Sequence, residues 1–516
     1  MAQRRPSSRG RVRLTALAAA TLPLLAACSV GSGESFSTDA LRVVLSQEPP
    51  SLEPCDSSLT GTGVVVRSNI TEPLAERNPS TGELEPLLST GWTSSAGERT
   101  WTFELRDDVR FSDGSTFDAK DAVHSIDRAV NGDLACNVEG YVFGDTDLEA
   151  EAVDATTLRV TAPEADPILP LRLSFVEMVP EETDGEAKVR QSIGTGPYQV
   201  DSWRAGTKLS LSANPEYWGD APDFDRVEYQ WRGEGSVRAA MVERGEADVA
   251  TNLGPEDGSE ELTTTYPNNE TAALRMQMEQ PPLDDRRVRE AIAYAVPRQA
   301  LVDELYQGEG EVAAQLIPPG VVGHDDDLEP WPTDLTKAKQ LLAEAEADGV
   351  DLSPQIRLVG RSGQFPLIDE TIQVIQQQLS GLGLDVKIEM TDTLGTVALQ
   401  ERPFPQDSGP YLLMIQHGNQ AGDGIFTMEQ YYLSEGNQSA GGTTELDEMI
   451  ESASQDTGEG RQTKLEEVFQ TEPKTSTQFA FIAHQRATMA LAPRVSYEPN
   501  SATGDEMRLA EFTRDQ

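Results

Sequence analysis

Three cysteines and four histidines carry the most specific side-chain chemistry in this chain of 516 residues. His124, His324, His417 and His484 are far apart, and none has a neighbour at the spacing of metal ligands. The motifs of serine hydrolases, phosphate-binding loops, zinc peptidases and dinucleotide-binding folds do not occur. With 87 acidic residues, paired carboxylates carry no information about catalysis. The sequence therefore supports no enzymatic reaction, and it predicts no metal site and no cofactor.

The first cysteine ends a stretch with the composition of an export signal. Residues 1–13 hold five arginines and no acidic residue, and residues 14–27 form an apolar and small-residue run. This run is too short to span a bilayer, which takes roughly 20 residues. A basic segment followed by a short apolar run is typical of a signal peptide. The run ends Leu25-Ala26-Ala27-Cys28, which resembles the bacterial lipobox. We therefore predict a signal peptide over residues 1–27 and lipid attachment at Cys28.

This interpretation of the N-terminus leaves two alternatives open. An ordinary signal peptide followed by a chance cysteine would export the chain without an anchor. The pair Arg4-Arg5 is compatible with twin-arginine export, but the apolar residues expected directly after the pair are missing, so the export route is open. Residues 28–40 are largely polar and rich in Gly and Ser, which predicts a flexible tether before the folded part of the chain.

The other two cysteines, Cys55 and Cys136, form an even pair in a chain that is predicted to be exported. Outside the cytoplasm such a pair indicates a disulfide. A metal site is the rival interpretation, but two isolated cysteines without a nearby histidine make a poor ligand set. Closing a loop of about 80 residues would stabilise the fold by about 4 kcal/mol in the chain-entropy account.

Charge and length limit the classes of protein that fit. The 41 basic residues leave a formal net charge of −46, which would repel nucleic acid and anionic lipid surfaces. No apolar run after residue 27 approaches membrane-spanning length. The chain that remains after the signal peptide is too long for one ordinary domain, so two lobes are expected. We predict an extracytoplasmic protein that binds no nucleic acid.

The elements that must position any site alternate between strand and helix patterns. Apolar residues alternate with polar ones over residues 101–105, as in a strand, and Asp118 precedes an amphipathic helix that it can cap. Further helices are predicted after Asp284 and Asp334 and over residues 367–379, and a strand over residues 384–390. The helix over residues 367–379 is expected to stop at Gly381, because glycine tolerates positive φ. Three segments rich in Pro, Gly and acidic residues are predicted to be loops, namely 251–270, 318–333 and 401–425. The first of these is a candidate boundary between lobes. The alternation predicts an α/β fold.

Several segments resemble, in order along the chain, the peptide/nickel-type family 5 of extracellular solute-binding proteins of ABC importers. The longest segment runs from Pro79 to Arg128 and includes Gly91-Trp92 and Ser112-Asp113-Gly114. The other segments are Gly194-Thr195-Gly196-Pro197-Tyr198, Asn214-Pro215-Glu216-Tyr217-Trp218-Gly219, Gly245-Glu246-Ala247-Asp248-Val249, Pro281-Pro282-Leu283-Asp284-Asp285-Arg286-Arg287-Val288-Arg289, Ala338-Lys339-Gln340-Leu341-Leu342 and Leu382-Gly383-Leu384-Asp385-Val386. Each segment is weak alone, but together and in this order they are specific.

The resemblance implies a two-lobed periplasmic-binding-protein-like fold of type II, similar to cluster C, with a hinge and a ligand cleft between the lobes. Lobe I would comprise residues 41–271 and 491–516, and lobe II residues 272–490. Such a protein captures a small ligand, here a short peptide, closes around it and delivers it to ABC permease subunits with their ATPases. It would act as a monomer, held by its lipid anchor at the outer face of the cell membrane.

The resemblance also implies candidate ligand-binding residues. In peptide-binding members, an aspartate in the loop after a lobe II strand meets the peptide ammonium group. The corresponding loop here, residues 418–426, contains Asp423 as its only acid, and Gln420 competes for the position. Arg361 follows an apolar strand at 356–359 and would bind the peptide carboxylate.

Further candidates for lining the cleft are His417, at the end of the strand before that loop, and Thr60 and Thr62, in the segment after Cys55. Other ligands occur within the family, namely nickel chelates, opines and oligosaccharides. The scarcity of histidine and the lack of clear aromatic sugar platforms do not favour nickel or sugar. A receptor for a peptide signal stays open as an alternative. An extracellular hydrolase is the enzymatic alternative, against which the missing motifs argue.

Overall fold

A computed structural model describes residues 39–515, with gaps at 58–59, 96, 139–141, 145, 406, 459, 501 and 503–505. The described residues belong to one compact unit. The predicted signal peptide, the predicted lipid attachment at Cys28 and most of the predicted tether lie outside the described residues.

Strands are distributed along the whole described chain. They are β1 (Leu41–Leu45), β2 (Ala75–Arg77), β3 (Leu84–Pro86), β4 (Ser89–Ser94), β5 (Thr100–Leu105), β6 (Glu149–Asp154), β7 (Thr157–Thr161), β8 (Tyr198–Arg204), β9 (Lys208–Ala213), β10 (Arg226–Trp231), β11 (Val249–Ala250), β12 (Thr263–Met276), β13 (Glu311–Val312), β14 (Ile356–Arg361), β15 (Val386–Thr391), β16 (Tyr411–Gly418), β17 (Phe479–Leu491), β18 (Val495–Ser496) and β19 (Thr513–Arg514).

Helices alternate with the strands, most regularly in the second half of the chain. They are α1 (Thr60–Val66), α2 (Ala119–Ile126), α3 (Leu169–Leu173), α4 (Gly235–Glu243), α5 (Arg286–Ala295), α6 (Arg298–Ala300), α7 (Leu335–Ala347), α8 (Ile368–Ser380), α9 (Thr393–Gln400), α10 (Gly424–Tyr431), α11 (Thr444–Ser454) and α12 (Arg461–Thr475). Within the described part of the chain, no helix is both long enough and apolar enough to cross a bilayer. The predicted α/β fold class is confirmed.

One sheet runs through both lobes in the order β15-β14-β16-β12-β17-β11-β1-β10-β9-β8. Its centre is the antiparallel pair β12 and β17. Residues 263–267 of β12 face residues 486–490 of β17, and residues 271–275 face residues 479–484. β16 flanks the second half of β12, whereas β11 flanks the end of β17. Both lobes therefore share these two strands, which link them.

Each lobe has an apolar core on its part of the sheet, and a further apolar cluster extends from lobe I into lobe II. Lobe I contains β11-β1-β10-β9-β8 and a separate sheet of β4-β5-β7-β6. Lobe II contains β16-β14-β15. Helix α8 packs on β14 and β15, α5 on β17 and α7 on α5, and their apolar faces, including Ile292, Leu341 and Ile372, belong to one core. The lobe boundaries at 271/272 and 490/491 stay predictions, and both fall on the two shared strands.

Several helix starts confirm the sequence patterns. Asp118 caps α2, where its carboxylate accepts a hydrogen bond from Lys120 N at 2.7 Å. Asp334 caps α7 in the same way through the backbone N–H groups of the first turn. The cap of α5 is Asp285, one residue after the predicted Asp284, and it accepts from Arg287 N at 2.8 Å. Short carboxylates at these positions satisfy N–H groups that have no partner within the helix.

Three predicted segments differ from the structure. Gly381 ends α8 with φ of −65°, and the left-handed residue is Gly383, with φ of 100°. The segment 251–270 is a loop only up to residue 262, because β12 starts at Thr263. Its Pro267 suggested a loop, but the proline lies next to an interruption of the ladder, where a missing N–H is tolerated. Likewise β16 and the start of α10 lie within the predicted loop 401–425.

The predicted disulfide is confirmed. The Sγ atoms of Cys55 and Cys136 are bonded, and their Cα atoms are 5.2 Å apart. Both side chains are buried in the apolar cluster that extends from lobe I into lobe II. The bond joins the segment before α1 to the segment after α2 and closes a loop with a sequence separation of 81.

Candidate functional site

The ladder between β12 and β17 is interrupted where the strands pass from one lobe to the other. Their register shifts between Pro267 and Thr271, and Asn269 adopts a left-handed backbone with φ of 56°. Asparagine tolerates this conformation better than most residues. An interrupted ladder offers little resistance to rotation, so this point is the natural hinge between the lobes.

Polar side chains collect at this hinge. Glu270 Oε2 accepts hydrogen bonds from Asn268 Nδ2 at 2.7 Å and from Gln416 Nε2 at 2.6 Å. Gln416 also donates to Gln485 Oε1 at 2.9 Å. The buried carboxylate of Glu270 and the Gln416 amide thus connect β12, β16 and β17 at the bottom of the region between the lobes.

Arg361 lies at the end of β14, close to this hinge. Because β14 and β16 are parallel, their carboxyl ends meet at one sheet edge, where open α/β sheets bind their ligands. Burial lowers the pKa of Arg361, and the negative charge of Glu270 opposes this shift. Among the described residues, no acceptor is hydrogen-bonded to its guanidinium group, and it forms no ion pair. The structure thus places Arg361 where a ligand could use it.

Asp423 is already committed to the fold of lobe II. It caps α10, with Oδ1 accepting from Ile425 N at 3.0 Å. Arg461 of α12 binds both carboxylate oxygens, with distances of 2.8 Å and 2.9 Å. The side chain is only 6% exposed. The role of Asp423 as ammonium partner stays a prediction, but its acceptors are occupied, and we interpret it as a positioning residue.

Gln420 meets lobe I through its backbone. Its carbonyl oxygen accepts a hydrogen bond from Arg77 Nη1 at 2.7 Å, and the same nitrogen donates to Ala502 O at 2.8 Å. Its side chain folds over Gly418, where an added Cβ would come within 2.4 Å of Gln420 Nε2. Arg77 lies on β2, so this contact joins the two lobes. No sequence motif distinguishes Arg77, and only the tertiary structure identifies it.

A second contact between the lobes surrounds Arg172, at the end of α3. Its Nη2 donates to Glu429 Oε1 of α10 at 2.8 Å, and its guanidinium lies 4.9 Å from the centroid of the Phe426 ring. The Phe175 and Phe426 rings are 6.2 Å apart. Sequence analysis did not single out any of these residues, because the ion-paired side chains are separated by 257 positions.

The remaining candidates from the sequence do not converge on this region. His417 Nε2 contacts Thr427 Oγ1 at 2.7 Å, and its ring packs edge-on against Tyr431. Burial lowers the pKa of His417 to about 3, so its ring is neutral inside lobe II. Thr62 is fully buried and donates to Ser51 O at 3.3 Å within lobe I. Thr60 begins α1, and its side chain lies outside the described part of the chain. Roles for these residues in the cleft stay predictions.

Two lobes that share a pair of strands, with polar groups converging on the strands between them, are the architecture of two-lobed substrate-binding proteins. The profile of bacterial extracellular solute-binding proteins, family 5, matches residues 83–439. The chain belongs to this family. Its members are transport binding proteins that act outside the cytoplasm with ABC permease components, and they bind peptides or other small molecules.

Similar proteins bind different ligands. The dipeptide-binding protein of Escherichia coli (strain K12) is 28% identical over 412 residues, which cover 73% of each chain. The periplasmic binding protein DppA from Helicobacter pylori, solved with the peptide STSA, has a TM-score of 0.81 at 19% identity and covers 92% of this chain and 98% of its own. NikA from Staphylococcus aureus, solved with Ni(L-His)2, has a TM-score of 0.79 at 20% identity over 92% and 100%. These likenesses confirm the two-lobed fold.

We predict that Asp423 matters more for stability than for binding. Asp423→Ala would uncap α10 and leave the buried guanidinium of Arg461 without its carboxylate. Removing one partner of a buried ion pair costs about 3–5 kcal/mol, and we expect the unfolding free energy from urea titration to fall by about that amount. The matched control is Asp326→Ala, which removes a carboxylate that is 93% exposed and should change stability little. Wild-type stability of Asp423→Ala would contradict the structural role.

Proposed function

We propose that the protein is the substrate-binding lipoprotein of an ABC importer and that its ligand is a short peptide enclosed between the lobes. The single observation that carries the choice of ligand is Arg361, a guanidinium group without a partner beside the hinge. Family membership and the dipeptide-binding relative support the same choice.

A peptide ligand carries a charge at each of its two ends. A peptide enters the cleft as a zwitterion, and closure removes the water that solvates both of its ends. Leaving either charge buried and unpaired would be costly, so each end needs a protein partner. Arg361 can bind a carboxylate with two parallel hydrogen bonds. A carboxylate-bearing ligand would therefore stabilise the closed arrangement through a contact that the empty protein lacks.

A nickel chelate with small organic ligands is the second candidate, because NikA, solved with Ni(L-His)2, is about as similar in fold as the peptide-bound DppA. A chelate carries carboxylates of its own, so Arg361 could serve it as well. Mass spectrometry and metal analysis of the ligand that copurifies with the mature protein would separate the two. A peptide mass without nickel supports the proposal, and stoichiometric nickel contradicts it.

We predict that Arg361→Ala weakens peptide binding by roughly 2–5 kcal/mol, because the peptide carboxylate would lose its charged partner in the closed cleft. Isothermal calorimetry with a library of di- and tripeptides measures this loss. Amidation of the peptide C-terminus should weaken binding to the wild type by a similar amount and have little further effect on the variant. The matched control is Arg357→Ala on the same strand, whose guanidinium is already paired with Glu389 at 2.8 Å.

The outcomes separate two errors. If no peptide of the library binds the wild type, the choice of ligand is wrong, while membership of the family is unaffected. If peptides bind and Arg361→Ala retains wild-type affinity for both free and amidated forms, the peptide is correct and the assignment of Arg361 is wrong.

The lipid anchor is a separate part of the proposal and depends on the Leu25-Ala26-Ala27-Cys28 ending. Lipid on Cys28 would hold the protein near the permease while the tether leaves the lobes free to move. We predict that Cys28→Ala releases folded protein into the medium, as measured by fractionation of cells that express the full chain. A variant that stays in the membrane fraction to the wild-type extent would exclude this anchor.

A further inference from the structure

Glu177 has an unusual environment for a carboxyl group. It lies just after α3, is 3% exposed, and pairs through its backbone with Pro73. Neither of its two side-chain oxygens has a hydrogen bond of normal geometry among the residues that the structure describes, and the Thr71 hydroxyl is the one side-chain donor that acts on the carboxyl group. Buried polar groups are nearly always paired, so a carboxyl group with both oxygens free requires an explanation.

Other buried glutamates of the described chain are bonded. Glu72 accepts from Thr195 Oγ1 at 2.7 Å, and Glu472 accepts from Gln478 N at 2.8 Å. Both have carboxyl groups buried as deeply as that of Glu177. Burial alone therefore does not deprive a glutamate of partners in this protein, and the free oxygens of Glu177 are a local feature.

The position of Glu177 connects it to the region between the lobes. The segment 172–177 carries the ion pair of Arg172 with Glu429 and the contact between the Phe175 and Phe426 rings. Both contacts reach α10, directly after the loop at 418–423. Glu177 thus belongs to the part of lobe I that meets lobe II around the proposed ligand site.

The groups that face Glu177 leave it without an ionic partner. Arg67 lies nearest among the bases, but its guanidinium donates to Ser174 O at 3.1 Å and stacks over the Phe175 ring at 4.5 Å. Two further acids, Glu72 and Glu506, act on it unfavourably through their charges. A cation from outside the chain would relieve this accumulation of acids.

We propose that Glu177 accepts a cationic group of the ligand, an ammonium such as the N-terminus of a peptide. This inference depends on the proposed function and names the partner for the second charge of the zwitterion. Asp423 is the less available acid, because Arg461 and the cap of α10 already donate three hydrogen bonds to its oxygens. The two charged ends of the ligand would then meet opposite lobes, the carboxylate at Arg361 of lobe II and the ammonium at Glu177 of lobe I.

The protonation state of Glu177 gives this inference a second signature. Burial raises the pKa of Glu177 to about 8; the charge of Arg67 and a hydrogen bond from the Thr71 hydroxyl oppose the shift, and the charges of Glu506 and Glu72 add to it. At neutral pH the carboxyl group of the empty protein is therefore mostly protonated. An ammonium group that binds there favours the ionised form, so binding releases a proton to the buffer. Affinity should then rise with pH between about 6 and 8, by up to about tenfold per unit.

The test is calorimetry with the tightest binder from the library of di- and tripeptides and with its N-acetylated form. Glu177→Gln keeps the shape and removes the charge. We expect it to weaken binding of the free-amine peptide roughly 30-fold or more, because its ammonium would lose the carboxylate partner. The acetylated peptide should bind wild type and variant equally. The matched control is Glu472→Gln, a buried glutamate of α12 in lobe II, which should leave both affinities unchanged.

Titrations of the wild type in two buffers with different ionisation enthalpies keep the inference testable if the variant does not fold. They should show release of close to one proton for the free-amine peptide and of none for the acetylated one. Wild-type affinity of Glu177→Gln, equal losses for both peptides, or no proton release would overturn the inference while the proposed function stands. If no library peptide binds the wild type, the proposed function fails and the inference fails with it.

Discussion

The antiparallel pair of β12 and β17 is the constraint on which the rest of the structure depends. One half of each strand belongs to the sheet of lobe I, and the other half belongs to the sheet of lobe II. The lobes can therefore move relative to each other only by bending this pair, and the register shift beside Asn269 is where bending disturbs the fewest hydrogen bonds. Glu270 lies on β12 itself, and Arg361 lies on β14, which is joined to β12 through β16.

The contacts between the lobes combine an apolar cluster, in which the Phe175 and Phe426 rings are 6.2 Å apart, with a few polar pairs. Arg77 and Arg172 of lobe I donate to the Gln420 carbonyl and the Glu429 carboxylate of lobe II. Such contacts exchange with water at little net cost when the lobes separate. These polar pairs align the lobes, and the balance between open and closed arrangements is then set by the apolar contact together with the ligand. A ligand shifts that balance only by its difference in affinity for the two arrangements.

The sequence predicts much of the fold, because local signals determine it. Asp118 and Asp334 identify helix starts through capping, and the even cysteine pair identifies the disulfide. The site is less predictable, because its pairings join distant segments. Nothing near Asp423 in the sequence indicates that Arg461 occupies its carboxylate, and nothing near Glu177 indicates that its oxygens stay free. Arg361 could be placed because a strand end specifies its location, whereas His417, at a similar strand end, points into the lobe.

The central claim is that the two lobes close around a ligand by bending the shared strands. Small-angle X-ray scattering of the mature protein, with and without a saturating amount of the tightest library peptide, tests it most directly. Closure predicts a smaller radius of gyration in the presence of the peptide than in its absence. An unchanged radius of gyration at full occupancy, established by calorimetry on the same sample, would contradict it.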